Sequence, residues 1–202
     1  DLEIYGIEAD RLLALLGEIG TVNTVGESFT VYKVGPVDVA LPRTESKRGR
    51  GHRGFVVTGD PRLPIEEAAR RRDFTINGMF MDPRTGEIFD DVDGRQDIER
   101  GVVRAIGDPE ARINEDKLRM LRAIRFTASL GFTLDPATAE AIAVHAEEIS
   151  VVSAERIADE WRRMLADASR CVAARLAIET GLLARVFPEI PVEGYDVAVE
   201  RL

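Results

Sequence analysis

Along residues 114–128 the apolar and polar positions separate with a helical period. At about 100° per residue, Met120, Leu121, Ala123, Ile124 and Ala128 fall on one side, while Asp116, Arg119, Arg122 and Arg125 sweep along the other. The apolar side predicts packing, and the cationic side predicts a surface that faces something. Arginine offers planar, permanently charged, bidentate donors suited to triphosphate oxygens or to a base edge. The alternative is an exposed helix laced by pairs such as Glu115 with Arg119 and Arg122.

The same patterning organises the rest of the chain. Before residue 105, short β-rich runs at 2–4, 29–34, 37–41, 54–57, 79–81 and 87–89 alternate with turns, with helices expected over 8–18 and 63–72. After it, helices are expected over 110–130, 135–148, 153–167 and 169–182, with Asp135-Pro136 and Ser153 as starts and Gly131 and Gly181 as stops. The expected organisation is a small α/β domain over 1–105 followed by a helical domain over 106–202, an α+β chain overall.

Composition narrows the function. The 202 residues are 45% apolar, enough for a core, and a net charge of −9 argues against a protein that coats nucleic acid with its whole surface. One local exception runs from Arg43 to Arg53, where Arg43, Lys47, Arg48, Arg50 and Arg53 face the single acid Glu45, which reads as a mobile basic loop. A lone cysteine, Cys171, excludes an internal disulfide and a multi-cysteine zinc site, and His52 and His145 stand far apart in sequence. A reducing cytoplasm is the natural setting. With no signal peptide and no long apolar span, membrane insertion is not expected.

Carboxylates occur where strand alternation would gather them. In Val37-Asp38-Val39-Ala40-Leu41 the Val37, Val39 and Leu41 face can pack, which turns Asp38 outward; Asp1-Leu2-Glu3-Ile4 alternates likewise. Adjacent strands carrying Asp1 and Asp38 on one face would make an oxygen-rich site for Mg²⁺, with plain solvation of an edge strand as the alternative. In Arg70-Arg71-Arg72-Asp73-Phe74, Asp73 can be held by an arginine while accepting a hydroxyl such as a ribose's, although a helix C-terminus with cations complementing its dipole has the same composition. Asp91-Val92-Asp93-Gly94-Arg95-Gln96-Asp97 reads best as an acidic turn capping a short helix.

Four motifs in one order then carry a resemblance. Arg71-Arg72-Asp73-Phe74-Thr75-Ile76-Asn77, Asp91-x-x-Gly94-x-x-Asp97, Glu115-Asp116-x-x-Arg119-x-x-Arg122 and Ser153-Ala154-Glu155-Arg156-Ile157 resemble the class II tRNA nucleotidyltransferase family, which includes CCA-adding enzymes and bacterial poly(A) polymerases. The likeness runs over essentially the whole chain. It implies a polymerase-β-like palm with a mixed sheet and a helical neck. It further implies Arg72 on the triphosphate, Asp73 on the ribose, Asp116 and Arg119 reading the incoming base, and Arg122 and Arg125 completing a phosphate clamp. Asp1, as a metal ligand, and Asp38 would be the catalytic carboxylates, with Mg²⁺ as cofactor. The implied activity is addition of CMP and AMP, from CTP and ATP, to the tRNA 3′ end; a poly(A) polymerase and a non-catalytic nucleotide- or RNA-binding module are the alternatives.

Departures from the family pattern carry expectations of their own. The first motif, a glycine-rich turn before Asp-x-Asp, best matches this chain from its second aspartate, at Asp1; pairing Asp1 with Glu3 is the other assignment. The chain would then be a fragment, short of the body and tail domains that follow Phe187-Pro188-Glu189, with little activity of its own. Gly78 stands where alanine is usual, suggesting added backbone freedom, and Val92-Asp93 stands where proline and glycine are common.

Overall fold

The computed structural model describes residues 1–24, 31–47 and 55–190, and the chain divides into two compact units, Asp1–Ala68 and Ala69–Leu202. In the first, β1 (Leu2–Glu3), α1 (Ala9–Ile19), β2 (Val22–Thr24), β3 (Val31–Val34) and β4 (Val37–Ala40) build a four-stranded sheet ordered β1-β4-β3-β2. It is mixed: β1 lies parallel to β4, and the other pairs are antiparallel. A two-residue turn between Val34 and Val37 closes the β3–β4 hairpin, with Gly35 at φ +58, the left-handed conformation such turns need. Leu12 and Leu16, one helical turn apart on α1, pack with Tyr32, Val39 and Leu41 into the core of this unit. Val37, expected on that packing face, is exposed at the strand's first residue.

Two further strands, β5 (Arg43–Lys47) and β6 (Phe55–Gly59), pair antiparallel, so the first part of the expected basic loop is strand. Composition misled there because a backbone ladder needs only a partner strand, not an apolar face. Residues 48–53 of that block, with 29–30 and 54 of the expected strands, lie outside the described residues. Helix α2 (Ile65–Arg70) then spans the junction of the two units.

The second unit contains a short hairpin, β7 (Phe80–Met81) with β8 (Ile88–Phe89), then α3 (Gly94–Arg100) and β9 (Val102–Val103). Next come α4 (Pro109–Glu115), α5 (Arg119–Leu130), β10 (Thr133–Leu134) and α6 (Pro136–His145), with β10 parallel to β9. A 3-10 stretch over Ala146–Val151 leads to α7 (Ala154–Ala166), α8 (Arg170–Glu179) and α9 (Leu182–Val186). Gly131 and Gly181 end their helices with φ +65 and +74, as expected from sequence. Asp135 starts α6, its carboxylate accepting from Thr138 N at 2.9 Å.

Helix α5 is the centre of this unit, touching α7 and α8. Met120, Leu121 and Ile124 are wholly buried, each contributing about 1.5–3 kcal/mol of transfer free energy. The single helix expected over 110–130 is two. Asp116 is extended (φ −146, ψ 108), and its carboxylate accepts from Leu118 N at 3.1 Å, so the acid that continues a helical pattern in sequence instead breaks it and restarts it. Among the described residues no helix is long and apolar enough to cross a membrane.

Candidate nucleotide site

The second unit brings the arginine motifs together around Asp73. This residue is 8% exposed and follows α2 in a turn whose backbone is tied to a neighbouring run: Thr75 N donates to Arg104 O (2.9 Å) and Ile106 N to Asp73 O (3.1 Å). Its Oδ1 accepts from Phe74 N (2.9 Å) and Asn77 Nδ2 (3.0 Å); its Oδ2 accepts from Arg122 Nε (2.7 Å) and lies 2.6 Å from Arg122 Nη2. Burial pushes the Asp73 carboxyl up, but Arg122 and the hydrogen bonds from Asn77 and Phe74 outweigh it and hold it below the ordinary carboxylate value. The carboxylate is therefore ionised and fully engaged at neutral pH. Arg72 is exposed, with its guanidinium carbon 5.3 Å from the centre of the Phe80 ring.

The Asp91-x-x-Gly94-x-x-Asp97 motif supports this turn. Asp97, 2% exposed, accepts from Thr75 Oγ1 (2.6 Å) and Arg104 Nε (2.8 Å). Gly94 lies so close that a Cβ would sit 2.4 Å from Thr75 O, which excludes any side chain. The capping carboxylate is Asp90, one residue before the expected acidic turn: it accepts from Val92, Gly94 and Arg95 main-chain N–H groups at 3.3, 2.8 and 2.9 Å. Gly78 also has a different reason from the expected one. Its φ of −92 suits any residue, but a Cβ would meet Val92 Cγ2 at 2.7 Å and Ile106 Cδ1 at 2.9 Å. The two departures at 78 and 92 are thus one packing solution, in which Val92 fills the space an alanine methyl would take.

Each arginine of α5 faces an acid or a carbonyl. Arg119 Nη1 donates to Glu115 Oε2 (2.7 Å) and Arg112 O (2.9 Å), and its Nη2 donates to Arg71 O (3.2 Å). Arg122 serves Asp73, not Glu115, and reaches toward Glu160 at 3.8 Å. Arg125 Nε donates to Glu160 Oε2 at 2.6 Å and its guanidinium lies 4.1 Å from the Phe126 ring centre. Asp116 is held by Arg156 of α7, whose Nη2 donates to Oδ2 at 2.7 Å and Nη1 to Oδ1 at 3.3 Å. Arg112 and Glu160 escaped the sequence reading, although Arg112 belongs to the same polar arc and Glu160 is an acid inside the Trp161–Met164 packing face of α7.

Asp1 and Asp38 belong to the other unit. Leu2 pairs with Val39 and Glu3 with Ala40 in the parallel register, so Asp1, just before β1, and Asp38 each precede a residue of the first of these pairs. Lys33 Nζ is 3.8 Å from Asp38, whose side chain is 45% exposed. Among the described residues no group of three or more histidine, cysteine or acidic side chains could hold an ion by itself. Two carboxylates with phosphate and water oxygens nevertheless suit a cation that keeps several waters.

Comparison with known proteins matches the chain to two family models. Residues 18–104 match the poly(A) polymerase head domain, and residues 131–192 match the probable RNA- and SrmB-binding site of polymerase A. A multifunctional CCA protein of Xanthomonas campestris pv. campestris is 40% identical over 174 residues, covering 82% of this chain and 42% of that protein. The CCA-adding enzyme of Bacillus subtilis is 44% identical over 127 residues, 63% of this chain and 31% of that one. The chain thus spans about two fifths of the length of the first curated relatives it matches. Among solved structures, the Bacillus stearothermophilus CCA-adding enzyme in complex with CTP superposes with a TM-score of 0.76 at 32% identity, over 89% of this chain and 44% of that one. The Thermotoga maritima CCA-adding enzyme complexed with tRNA shares the fold at 21% identity (TM-score 0.73, 94% of this chain and 43% of that one). The two matched segments lie on either side of the Glu115–Asp116 turn and of α5, and the chain belongs to the class II tRNA nucleotidyltransferase family of CCA-adding enzymes and bacterial poly(A) polymerases.

Proposed function

We propose that this protein is a template-independent RNA nucleotidyltransferase that transfers CMP and AMP from CTP and ATP to the tRNA 3′ end, with Mg²⁺ as the divalent metal, in the cytoplasm. The observation that carries this reading is the joining of two motifs 49 residues apart: Asp73 is ion-paired to Arg122 on the helix that also bears Arg119. In this reading one compact unit carries groups for both ends of a nucleotide. Residues 1–105 act as the catalytic head and 106–202 as the neck.

In this proposal Asp116 and Arg119 read the base. A carboxylate accepts from an exocyclic amine while a guanidinium donates to ring acceptors, a pattern that cytosine and adenine satisfy and that guanine and uracil do not. Arg156 fixes the Asp116 carboxylate in direction. Asp73 takes the ribose, a hydroxyl exchanging with the Asn77 amide at Oδ1, and Arg72, Arg122 and Arg125 bind phosphates. Asp1 and Asp38 would hold Mg²⁺, which would offset the triphosphate charge and make the α-phosphate more electrophilic. The RNA 3′-hydroxyl then displaces pyrophosphate.

The test is an incubation of this chain, and of its complete gene product where that is longer, with tRNA lacking its 3′ CCA, Mg²⁺, CTP and ATP. Extension by three nucleotides and arrest is the result expected of the complete product, with little extension by this chain alone. A long run of A identifies a poly(A) polymerase instead, and nucleotide binding without extension by the complete product identifies a binding module.

A further inference from the structure

We infer that Arg112 is a positioning residue that sets the spacing between the base-reading turn and the Arg71–Asp73 turn, and thereby the discrimination among nucleotides. The inference rests on the assignment of Asp116 and Arg119 to the base. Arg112 lies on α4 with its side chain 18% exposed. Its Nη1 donates to Arg70 O at 3.0 Å, across 42 residues of sequence, and lies 3.0 Å from Glu115 Oε2. Arg119 Nη1 lies 2.7 Å from that same Glu115 oxygen, and its Nη2 donates to the next carbonyl, Arg71 O.

Two guanidiniums, one on each side of the helix break at Asp116, therefore take successive carbonyls at the C-terminal end of α2. The last carbonyls of a helix generally lack intrahelical donors, and here side-chain donors from α4 and α5 reach Arg70 O and the next one, Arg71 O. The arrangement carries a cost. Burial pushes the Arg112 guanidinium down from its ordinary value, neighbouring Arg119 adds to that, and Arg112 Nε is buried with no hydrogen-bond partner. A pair serving α4 alone would need only the i,i+3 contact with Glu115, which on a helix surface is worth a few tenths of a kcal/mol. Reaching the carbonyl two residues before Arg72 instead hangs the phosphate and ribose turn from the helix that ends at the base-reading acid.

A nucleotide has a fixed length from base edge to phosphate, so both turns engage it only at one separation, and errors well below an ångström weaken whichever end binds second. Matched bases draw on both ends, whereas mismatched ones draw on the phosphate end alone. Loss of Arg112 should therefore hurt CTP and ATP more than UTP and GTP.

The experiment compares Arg112→Ala and Arg112→Lys with the wild type in the complete gene product, measuring kcat/KM for the four nucleotides and thermal midpoints. The preference for CTP and ATP over UTP and GTP should fall roughly tenfold in Arg112→Ala, the scale of one base-edge contact. Arg112→Lys, which keeps the charge but not the forked donor, should fall between that and wild type. A purely structural role lowers the midpoint and leaves the ratios unchanged, and unchanged ratios in both variants overturn the inference. If Arg112→Ala does not fold, Arg112→Lys decides by the same ratio. A wild type without any preference overturns the base-reading assignment itself, a failure visible before any substitution is made.

Discussion

Replacing Gly78 by alanine should destabilise the protein, and shortening Val92 should undo the damage. The backbone at Gly78 (φ −92, ψ 1) is open to alanine, so the substitution gains about 0.4–1 kcal/mol by restricting the unfolded chain. Against this, the new methyl would lie 2.7 Å from Val92 Cγ2 and 2.9 Å from Ile106 Cδ1, both below any ordinary carbon contact. Overpacking of this kind costs about 1–3 kcal/mol. The net expectation is a loss of about 0.5–2 kcal/mol, equivalent to a few degrees in Tm for a chain of this size, since each kcal/mol moves the midpoint by about 2–4 °C. Val92→Ala by itself removes part of a half-buried side chain and should cost about 0.5–1.5 kcal/mol, by analogy with other single-branch truncations. In the double variant the alanine methyl occupies the space that valine vacates, so the two losses should not add. Chemical denaturation of the four proteins gives the coupling directly, expected at about 1 kcal/mol or more in favour of the double variant. Additivity within about 0.5 kcal/mol would refute the idea that the two positions are one packing solution, and a Gly78→Ala protein more stable than wild type would show that backbone freedom is what glycine supplies there.

Three further outcomes are expected. The Asp73 carboxyl is held below its unfolded value, so its contribution to stability is complete above the unfolded pKa of about 4 and is lost as pH falls through the lower folded value; acid unfolding of Asp73→Asn should show a shallower dependence below about pH 4 than wild type, and superimposable slopes would deny the shift. Asp116→Ala should relax the preference for CTP and ATP over UTP and GTP by roughly tenfold in the complete gene product, because a base-edge contact carries discrimination where a phosphate contact does not, and unchanged kcat/KM ratios would remove the base-reading role from this turn. Asp38→Asn should abolish Mg²⁺-dependent extension while moving Tm little, since its side chain is 45% exposed and its ion pair to Lys33 is long at 3.8 Å; extension at the wild-type rate would take the metal away from this strand.

Local periodicity decided a good deal of this protein. The buried side of α5, the glycines that end two of the helices, and the burial of Val39 beside a more exposed Asp38 all follow from residues a few positions apart, where the chain's own geometry dictates which side chains share a face. Register between β1 and β4 added what alternation could not, namely that Leu2 and Glu3 run parallel to Val39 and Ala40, immediately after the two aspartates. Other features depend on groups that meet only in the folded state. The two-residue strands β9 and β10 are too short to leave a pattern and are defined by each other across 31 residues. Asp116 looks like the next residue of a helix until its carboxylate captures a main-chain N–H and Arg156. For the arginines, sequence offered Glu115 as a partner of both Arg119 and Arg122; the fold gave it to Arg119 and Arg112 and gave Arg122 to Asp73. Ion pairs between long side chains are worth little locally, so the partner is settled by which carboxylate the tertiary packing buries nearby, and that depends on burial, which sequence spacing does not encode.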